Sequence, residues 1–170
     1  MITVDEIMIS NVHTLQPSST VAEARDLMAT RHIHHIPILD KDAQLVGLVS
    51  QRDVLVASHD ALRKTGEAAK EGRNIALKDI MTTGVATVGP QAGLRQAAIY
   101  LSEHKYGCLP VVNEGKLVGI VTDTDFISVA VNLLEQLELQ DNDGESFAEE
   151  PEDMEIEDLE LPVDENRDWD

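Results

Sequence analysis

The chain has 170 residues, of which 42% are hydrophobic and 3% aromatic, with a formal net charge of −19. The charge is uneven: residues 1–134 hold 15 acidic and 12 basic residues, whereas residues 135–170 hold 17 and one. The nearly neutral part lacks the clustered cations that nucleic-acid phosphates require. No apolar run approaches the roughly 20 residues that cross a bilayer, and the start is unlike a signal peptide. We therefore expect a cytoplasmic protein that contacts neither nucleic acid nor membrane.

An internal repeat occupies the first 134 residues. Thirteen positions are identical at an offset of 73 that becomes 72 after one residue is lost in a turn. The identical residues of the first copy are Ile2, Ile7, Met8, Val12, Thr14, Pro17, Ala24, Pro37, Leu45, Val46, Gly47, Val49 and Asp53. Chance would not place two prolines, a glycine and an aspartate in the same order twice. Two similar halves packed about a pseudo-twofold axis are predicted.

The elements of the first copy follow from its apolar periodicity and its turn residues. They are, in order, a short strand at 12–15, a helix with Thr20 and Glu23 as capping box, strands at 36–39 and 45–49, and a helix from Ser50. The strand at 45–49 is continuously apolar, so it is predicted to be buried on both faces. Each half is therefore β-α-β-β-α, and the fold class is α/β (α+β).

The second copy repeats this order and ends in a longer apolar helix. Its elements are a strand at 85–88, a helix that begins after Gly93, strands at 109–112 and 117–121, and a helix from Thr122. The last helix carries more apolar residues than a small domain can bury, namely Phe126, Ile127, Ala130, Leu133, Leu134 and Leu137. An apolar excess of this kind is typical of a protein interface, so a homodimer is predicted.

Composition divides the chain into four segments. Repeat 1 is assigned to residues 1–58, a helical linker to 59–74, repeat 2 with its C-terminal helix to 75–140, and an acidic tail to 141–170. The charge density of the tail opposes independent folding, so disorder is predicted there. Apolar residues alternate loosely with its acids, as in acidic interaction segments. A solubilising tail and a docking peptide for a partner protein both remain open.

Short motifs that occur twice carry a family resemblance. They are Ile7-Met8 and Ile80-Met81, the strands with His-Ile-Pro-Ile and Cys-Leu-Pro-Val, and the segments 47–53 and 119–125. With these motifs in register over residues 2 to about 135, the chain resembles paired CBS domains (Bateman modules) of the stand-alone type. The resemblance implies disk-shaped dimers. It also implies that AMP, ADP, ATP, S-adenosylmethionine or a related adenosyl ligand binds in clefts between the repeats.

A hydroxyl and a carboxylate stand three residues apart at the start of each closing helix, as Ser50 with Asp53 and Thr122 with Asp125. A carboxylate can accept hydrogen bonds from both hydroxyls of a ribose, and a helix N-terminus suits a phosphate. The same spacing is also a helix-capping signal, and the two roles can coexist.

The resemblance implies that each cleft draws on both repeats. One site would combine Ser10, His34 and His35 with Ile120, Thr122 and Asp125. The other would combine Thr83, Gly107 and Cys108 with Leu48, Ser50 and Asp53. Arg52 is either a phosphate ligand beside Asp53 or a solvated helix residue; the first alternative would make the Asp53 site the tighter one.

No metal or catalytic site is predicted. His32, His34 and His35 belong to one short segment, whereas zinc ligands usually converge from several, so these histidines are expected to line a cleft. Cys108 begins an apolar strand, which raises a thiol pKa and makes the thiol inert. We predict a non-enzymatic module that binds adenine nucleotides and signals to a partner by conformational change. The alternative is a ligand-free dimeric scaffold whose acidic tail recruits a partner protein.

Overall fold

The structure, a computed structural model, describes residues 2–63 and 75–142. Two compact units are present, Met1–Val131 and Asn132–Asp170. The first contains predicted repeat 1 and predicted repeat 2 as far as Val131, and the described part of the second is the end of the helix that closes repeat 2. Most of the predicted linker at 59–74 and nearly all of the predicted tail at 141–170 lie outside the described residues.

The described residues form two copies of one arrangement of helices and strands. The elements are α1 (Val21–Arg31), β1 (His35–Leu39), β2 (Leu45–Ser50), α2 (Gln51–Arg63), α3 (Leu94–His104), β3 (Cys108–Asn113), β4 (Lys116–Thr122) and α4 (Asp123–Asn142). Strand β1 pairs antiparallel with β2, and β3 pairs antiparallel with β4. A short 3-10 turn precedes each copy, at Val4–Glu6 and Leu77–Asp79. The predicted α/β class is confirmed.

Helix α1 begins where the sequence predicts a capping box. The Thr20 side chain accepts a hydrogen bond of 3.2 Å from the Glu23 N–H, and the Glu23 carboxylate accepts one of 2.6 Å from the Thr20 N–H. These bonds satisfy backbone groups that a helix start leaves without partners. The helix ends at Arg31, and the next residue, His32, adopts the left-handed conformation with φ 53°.

The first strand of each predicted repeat is shorter than expected. Leu15 pairs with Ile38, and Val88 with Val111, each as an isolated parallel bridge. The rest of the predicted strands at 12–15 and 85–88 makes no ladder within the described residues. Apolar periodicity indicates an extended segment but not how many of its residues pair with a neighbouring strand, which depends on tertiary contacts.

Each hydrophobic core is completed by a segment of the other half. Leu77 is fully buried in the core formed by α1, β1 and β2, and Val4 is fully buried in the core formed by α3, β3 and β4. Backbone hydrogen bonds hold these segments in place: the Leu77 N–H donates to the Ser19 carbonyl at 2.8 Å, and the Val4 N–H donates to the Ala92 carbonyl at 3.0 Å. The sequence analysis did not predict this exchange.

The exchanged segments also explain the repeated glycines. Met8 lies directly over Gly119, and Met81 lies over Gly47, so a Cβ at either glycine would overlap the methionine sulfur. Beyond each methionine the segment pairs with the facing strand. Ile9 and Ile120 exchange two backbone hydrogen bonds of 2.9 and 3.0 Å. A glycine is therefore needed where the two halves come closest.

Helix α4 leaves a row of apolar side chains exposed. Ile127, Leu134 and Leu137 are 62%, 58% and 57% exposed. The predicted homodimer contact on this helix remains a prediction. None of the helices in the described part of the chain combines the length and apolar character that crossing a membrane would take.

Candidate functional site

A cavity of about 460 Å³ lies between the two halves and is called the first cleft. Six of the residues predicted for the Asp53 site line it: Leu48, Ser50, Arg52, Asp53, Gly107 and Cys108. Thr83 was also predicted there but does not line the cavity, whereas its neighbours Thr82 and Gly84 do. The backbone explains this shift, since Thr82 is the residue that pairs with Leu48.

A cavity of about 440 Å³, the second cleft, lies between the same halves. Five of the residues predicted for the Asp125 site line it: His34, His35, Ile120, Thr122 and Asp125. Ser10 does not line it, although Ile9 and Asn11 do. The structure thus brings together eleven of the thirteen predicted residues in two groups. Their role as ligand contacts remains a prediction.

The capping interpretation of Ser50 and Asp53 is realised. Oδ2 of Asp53 accepts hydrogen bonds from the Ser50 N–H at 2.8 Å and from the Ser50 hydroxyl at 2.7 Å. The second oxygen, Oδ1, accepts no hydrogen bond from the residues that the structure describes. One oxygen thus fixes the carboxylate at the start of α2, and the other is available for a ligand.

Asp125 repeats this geometry at the start of α4. Its Oδ2 accepts hydrogen bonds from the Thr122 N–H at 2.7 Å and from the Thr122 hydroxyl at 2.8 Å. The carboxylate is partly buried, as that of Asp53 is. Each cleft therefore presents a carboxylate held in place by the helix cap that it completes.

His35 lies between the two clefts and lines both. Its ring packs on Gly107, where a Cβ would stand 2.8 Å from the imidazole Cε1. Burial lowers the pKa of His35 below 6.5, although the charges of Asp123 and Asp53 act in the opposite direction. The ring is therefore a mainly neutral partition between the cavities.

Cys108 holds the position in the second repeat that matches His35 in the first. Burial raises the pKa of its thiol to about 12, with a smaller contribution from the charge of Asp123. The thiol is protonated at neutral pH, so the predicted rise in its pKa is confirmed.

The clefts differ in the charged residues that line them. The first holds Arg52, Lys105 and Asp53. The second holds Arg31, Asp123 and Asp125. Arg31 and Asp123 were not assigned to a site from the sequence.

A signal for Asp123 was present in the repeat itself. The offset of 73 places Lys105 opposite His32, and the offset of 72 places Asp123 opposite Gln51. Comparison of unlike residues at matched positions would have found Asp123.

The histidine-rich wall of the second cleft has no metal-binding geometry. Over residues 2–63 and 75–142, no three His, Cys, Asp or Glu side chains are grouped so that they could hold a metal ion. His32, His34 and His35 line the second cleft, as predicted for these histidines.

Two halves that exchange core segments and enclose two matching clefts define a tandem CBS module. The model of the CBS domain matches residues 4–60 and 77–132. The chain therefore belongs to the CBS domain family and carries two copies of the domain.

Curated relatives share this pair of domains. The chain is 35% identical over 126 residues to the uncharacterized protein MJ1225 of Methanocaldococcus jannaschii, covering 74% of this chain and 42% of that protein. It is 33% identical to the chloroplastic CBSX1 of Arabidopsis thaliana, covering 77% of this chain and 65% of the relative. The chain thus spans less than two thirds of the length of either relative.

Solved structures show the same fold. A putative acetoin utilization protein (AcuB) from Vibrio cholerae superposes with a TM-score of 0.72 at 44% identity, covering 81% of this chain and 98% of that one. CBSX2 in complex with AMP gives a TM-score of 0.67 at 29% identity and covers 78% and 98%. The CBS pair of MJ0100, in complex with 5-methylthioadenosine and S-adenosyl-L-methionine, gives 0.65 at 26% identity and covers 78% and 98%.

Proposed function

We propose that the chain is a non-catalytic regulatory module that binds an adenine nucleotide or a related adenosyl ligand in each cleft. The observation that carries this proposal is the repeated carboxylate. In both clefts an aspartate uses Oδ2 in a helix cap, while its Oδ1 accepts no hydrogen bond from residues 2–63 and 75–142. Each cleft is of the size that small-molecule sites have.

The lining of each cleft suits the parts of a nucleoside. The available oxygen of Asp53 or Asp125 can accept hydrogen bonds from ribose hydroxyls, and bonds to a charged acceptor are stronger than neutral ones. Leu48 and Ile120 occupy matched places on β2 and β4 and offer apolar surface to a flat ring. The start of the following helix provides backbone dipoles that favour phosphate.

Two solved relatives support an adenosyl ligand. CBSX2 has been solved with AMP, and MJ0100 with 5-methylthioadenosine and S-adenosyl-L-methionine. The three ligands have adenosine in common and differ in the substituent at its 5′ carbon. An adenosine-binding site is therefore the property that we carry over to this chain.

Regulation follows from the position of the clefts. Each is lined by residues of both halves, so a bound ligand contacts both. A ligand that prefers one arrangement of the halves shifts the population toward it. A partner protein that contacts both halves would respond to this shift.

Calorimetric titration with AMP, ADP, ATP and S-adenosylmethionine tests the proposal. We expect Asp53→Ala and Asp125→Ala each to remove one binding event, because loss of a charged hydrogen-bond acceptor costs about 1.5–3 kcal/mol. Both variants also lose a helix cap, which costs about 1 kcal/mol of stability.

Glu23→Ala is the matched control. Glu23 completes the capping box of α1 but lines neither cleft, so this variant loses a cap and should bind as the wild type does. Equal binding by all three variants would refute the site assignment. Absence of heat with every ligand would refute the proposed function and favour the dimeric scaffold that recruits a partner through its acidic tail.

A further inference from the structure

The charged residues of the first cleft come from both halves. Arg52 is the second residue of α2, and Lys105 follows the end of α3 in the left-handed conformation with φ 55°. Both side chains are exposed and line the same cavity. Neither forms an ion pair with any residue in the ranges 2–63 and 75–142. Two cations that have no ion-pair partner within those ranges thus line one cavity, in which Asp53 is the one carboxylate among the described lining residues.

The second cleft has the opposite balance. Asp123 stands where the first repeat has Gln51, and Thr124 stands where it has Arg52. Two carboxylates, Asp123 and Asp125, face the single cation Arg31. Asp123 lines the second cleft, and its backbone N–H donates to the carbonyl of Gly107, a residue that lines the first, at 3.2 Å.

These charges affect the two clefts differently. A phosphate in the first cleft would face two cations and one carboxylate, whereas a phosphate in the second would face one cation and two carboxylates. Electrostatic attraction and repulsion of this kind select between ligands of similar shape. The adenosine part would be held in the same way by both aspartates, so discrimination rests on the 5′ substituent.

We propose that the two clefts sort adenosyl ligands by charge. The first takes adenosine phosphates, with Arg52 and Lys105 as the phosphate contacts. The second takes an adenosyl ligand whose 5′ substituent is neutral or positively charged, such as methylthioadenosine or S-adenosylmethionine. This inference rests on the proposed function, because it assumes that both clefts bind adenosine.

The test titrates ATP and S-adenosylmethionine into variants that each retain one cleft. Asp125→Ala leaves the first cleft and Asp53→Ala leaves the second. Both ligands are titrated at one pH, about 8, and at one ionic strength. We expect the first cleft to prefer ATP and the second to prefer S-adenosylmethionine, each by about tenfold.

Substitutions that copy one repeat into the other identify the responsible residues. In the Asp125→Ala background, Arg52→Thr and Lys105→His should each weaken ATP binding by about five- to twentyfold and leave S-adenosylmethionine within about twofold. In the Asp53→Ala background, Asp123→Gln should improve ATP binding several-fold. These differences should shrink as NaCl rises from about 50 to about 300 mM, because salt screens exposed charges.

Arg95→Thr is the matched control for Arg52→Thr. Arg95 is also an exposed arginine at the second position of a helix, α3, and it lines neither cleft. It should leave both affinities unchanged. Equal preference for the two ligands in both clefts, or ATP affinity unaffected by Arg52→Thr and Lys105→His, would overturn the sorting proposal while leaving adenosyl binding intact. No binding of either ligand would instead refute the proposed function beneath it.

Discussion

The two clefts share a frame, the aspartate held by the helix cap, and differ at their rims, the exposed charged residues that line them. In the frame, the bonds from the Ser50 N–H and hydroxyl to Asp53 measure 2.8 and 2.7 Å, and those from Thr122 to Asp125 measure 2.7 and 2.8 Å. At the rim, exposed residues differ in charge. A side chain that completes a helix cap is constrained by backbone geometry, whereas an exposed rim residue is not. The frame therefore defines what both clefts have in common, and the rims determine how they differ.

The largest expected difference between the halves concerns their cores. Leu77→Ala removes a fully buried side chain from the first core, and we expect unfolding free energy to fall by about 2–5 kcal/mol. Val4→Ala removes less volume from the second core, so its cost should be smaller, about 1.5–3 kcal/mol. Urea denaturation followed by circular dichroism measures both values.

The shape of these unfolding curves matters as much as the midpoint. Because each core contains a segment of the other half, both variants should unfold in a single transition. Exposed Ile99→Ala serves as control, with a change below about 0.5 kcal/mol. Two separate transitions would show that the halves fold independently, contrary to the exchange.

A smaller effect on stability is expected where the Met8 side chain packs against Gly119. Gly119→Ala places a methyl group against Met8, which should cost about 1–3 kcal/mol through overpacking. Adding Met8→Ala should recover part of that loss, whereas Met81→Ala, the matching substitution in the other half, should not. Thermal denaturation of the single and double variants measures the coupling. Equal rescue by both methionine substitutions would contradict the specific pairing.

The smallest effect concerns the unlike residues between the clefts, His35 and Cys108. Because the pKa of His35 is lowered in the folded state, the unfolded chain binds its proton first as pH falls below about 6.5. Its contribution to stability is present at pH 8 and is lost on acidification. The free energy of unfolding should therefore fall less between about pH 8 and 5 in His35→Gln than in the wild type. The difference should be below about 1 kcal/mol, since the ring is partly exposed.

Cys108→Ser supplies the comparison. With a thiol pKa of about 12, Cys108 stays protonated over this range, so its replacement should leave the pH dependence unchanged. Urea midpoints at several pH values, compared between the two variants, provide the measurement. A steeper pH dependence in His35→Gln than in the wild type would show that the ring gains, rather than loses, proton affinity on folding.

Sequence reasoning predicted most of this fold because the signals are local. The capping box at Thr20 and Glu23 and the apolar strands specify their elements within a few residues. The exchange of Val4 and Leu77 was missed because a short 3-10 segment has no periodicity that indicates which core it enters. The length of the first strands was missed for a similar reason, since pairing of Leu15 depends on tertiary contacts.

The candidate site was predictable only as far as the repeat extends. Asp53 and Asp125 were found because they are identical in both copies. Ser10 and Thr83 were each displaced by one residue, since which neighbour faces a cavity depends on backbone pairing that the sequence does not reveal. Asp123 differs from its counterpart Gln51, so a search for identity passed over it.

The exchanged segments also constrain how the protein is made. Val4 is synthesised more than a hundred residues before Val121, yet both lie in the same core. Neither core is complete until the segment from the other copy has been synthesised. A lone copy would have an apolar N-terminal segment and no core to bury it. A single repeat could bury that segment only in the core of a second copy, which would in turn place its own segment in the core of the first. Joining two copies in one polypeptide makes this exchange intramolecular, so it does not depend on protein concentration.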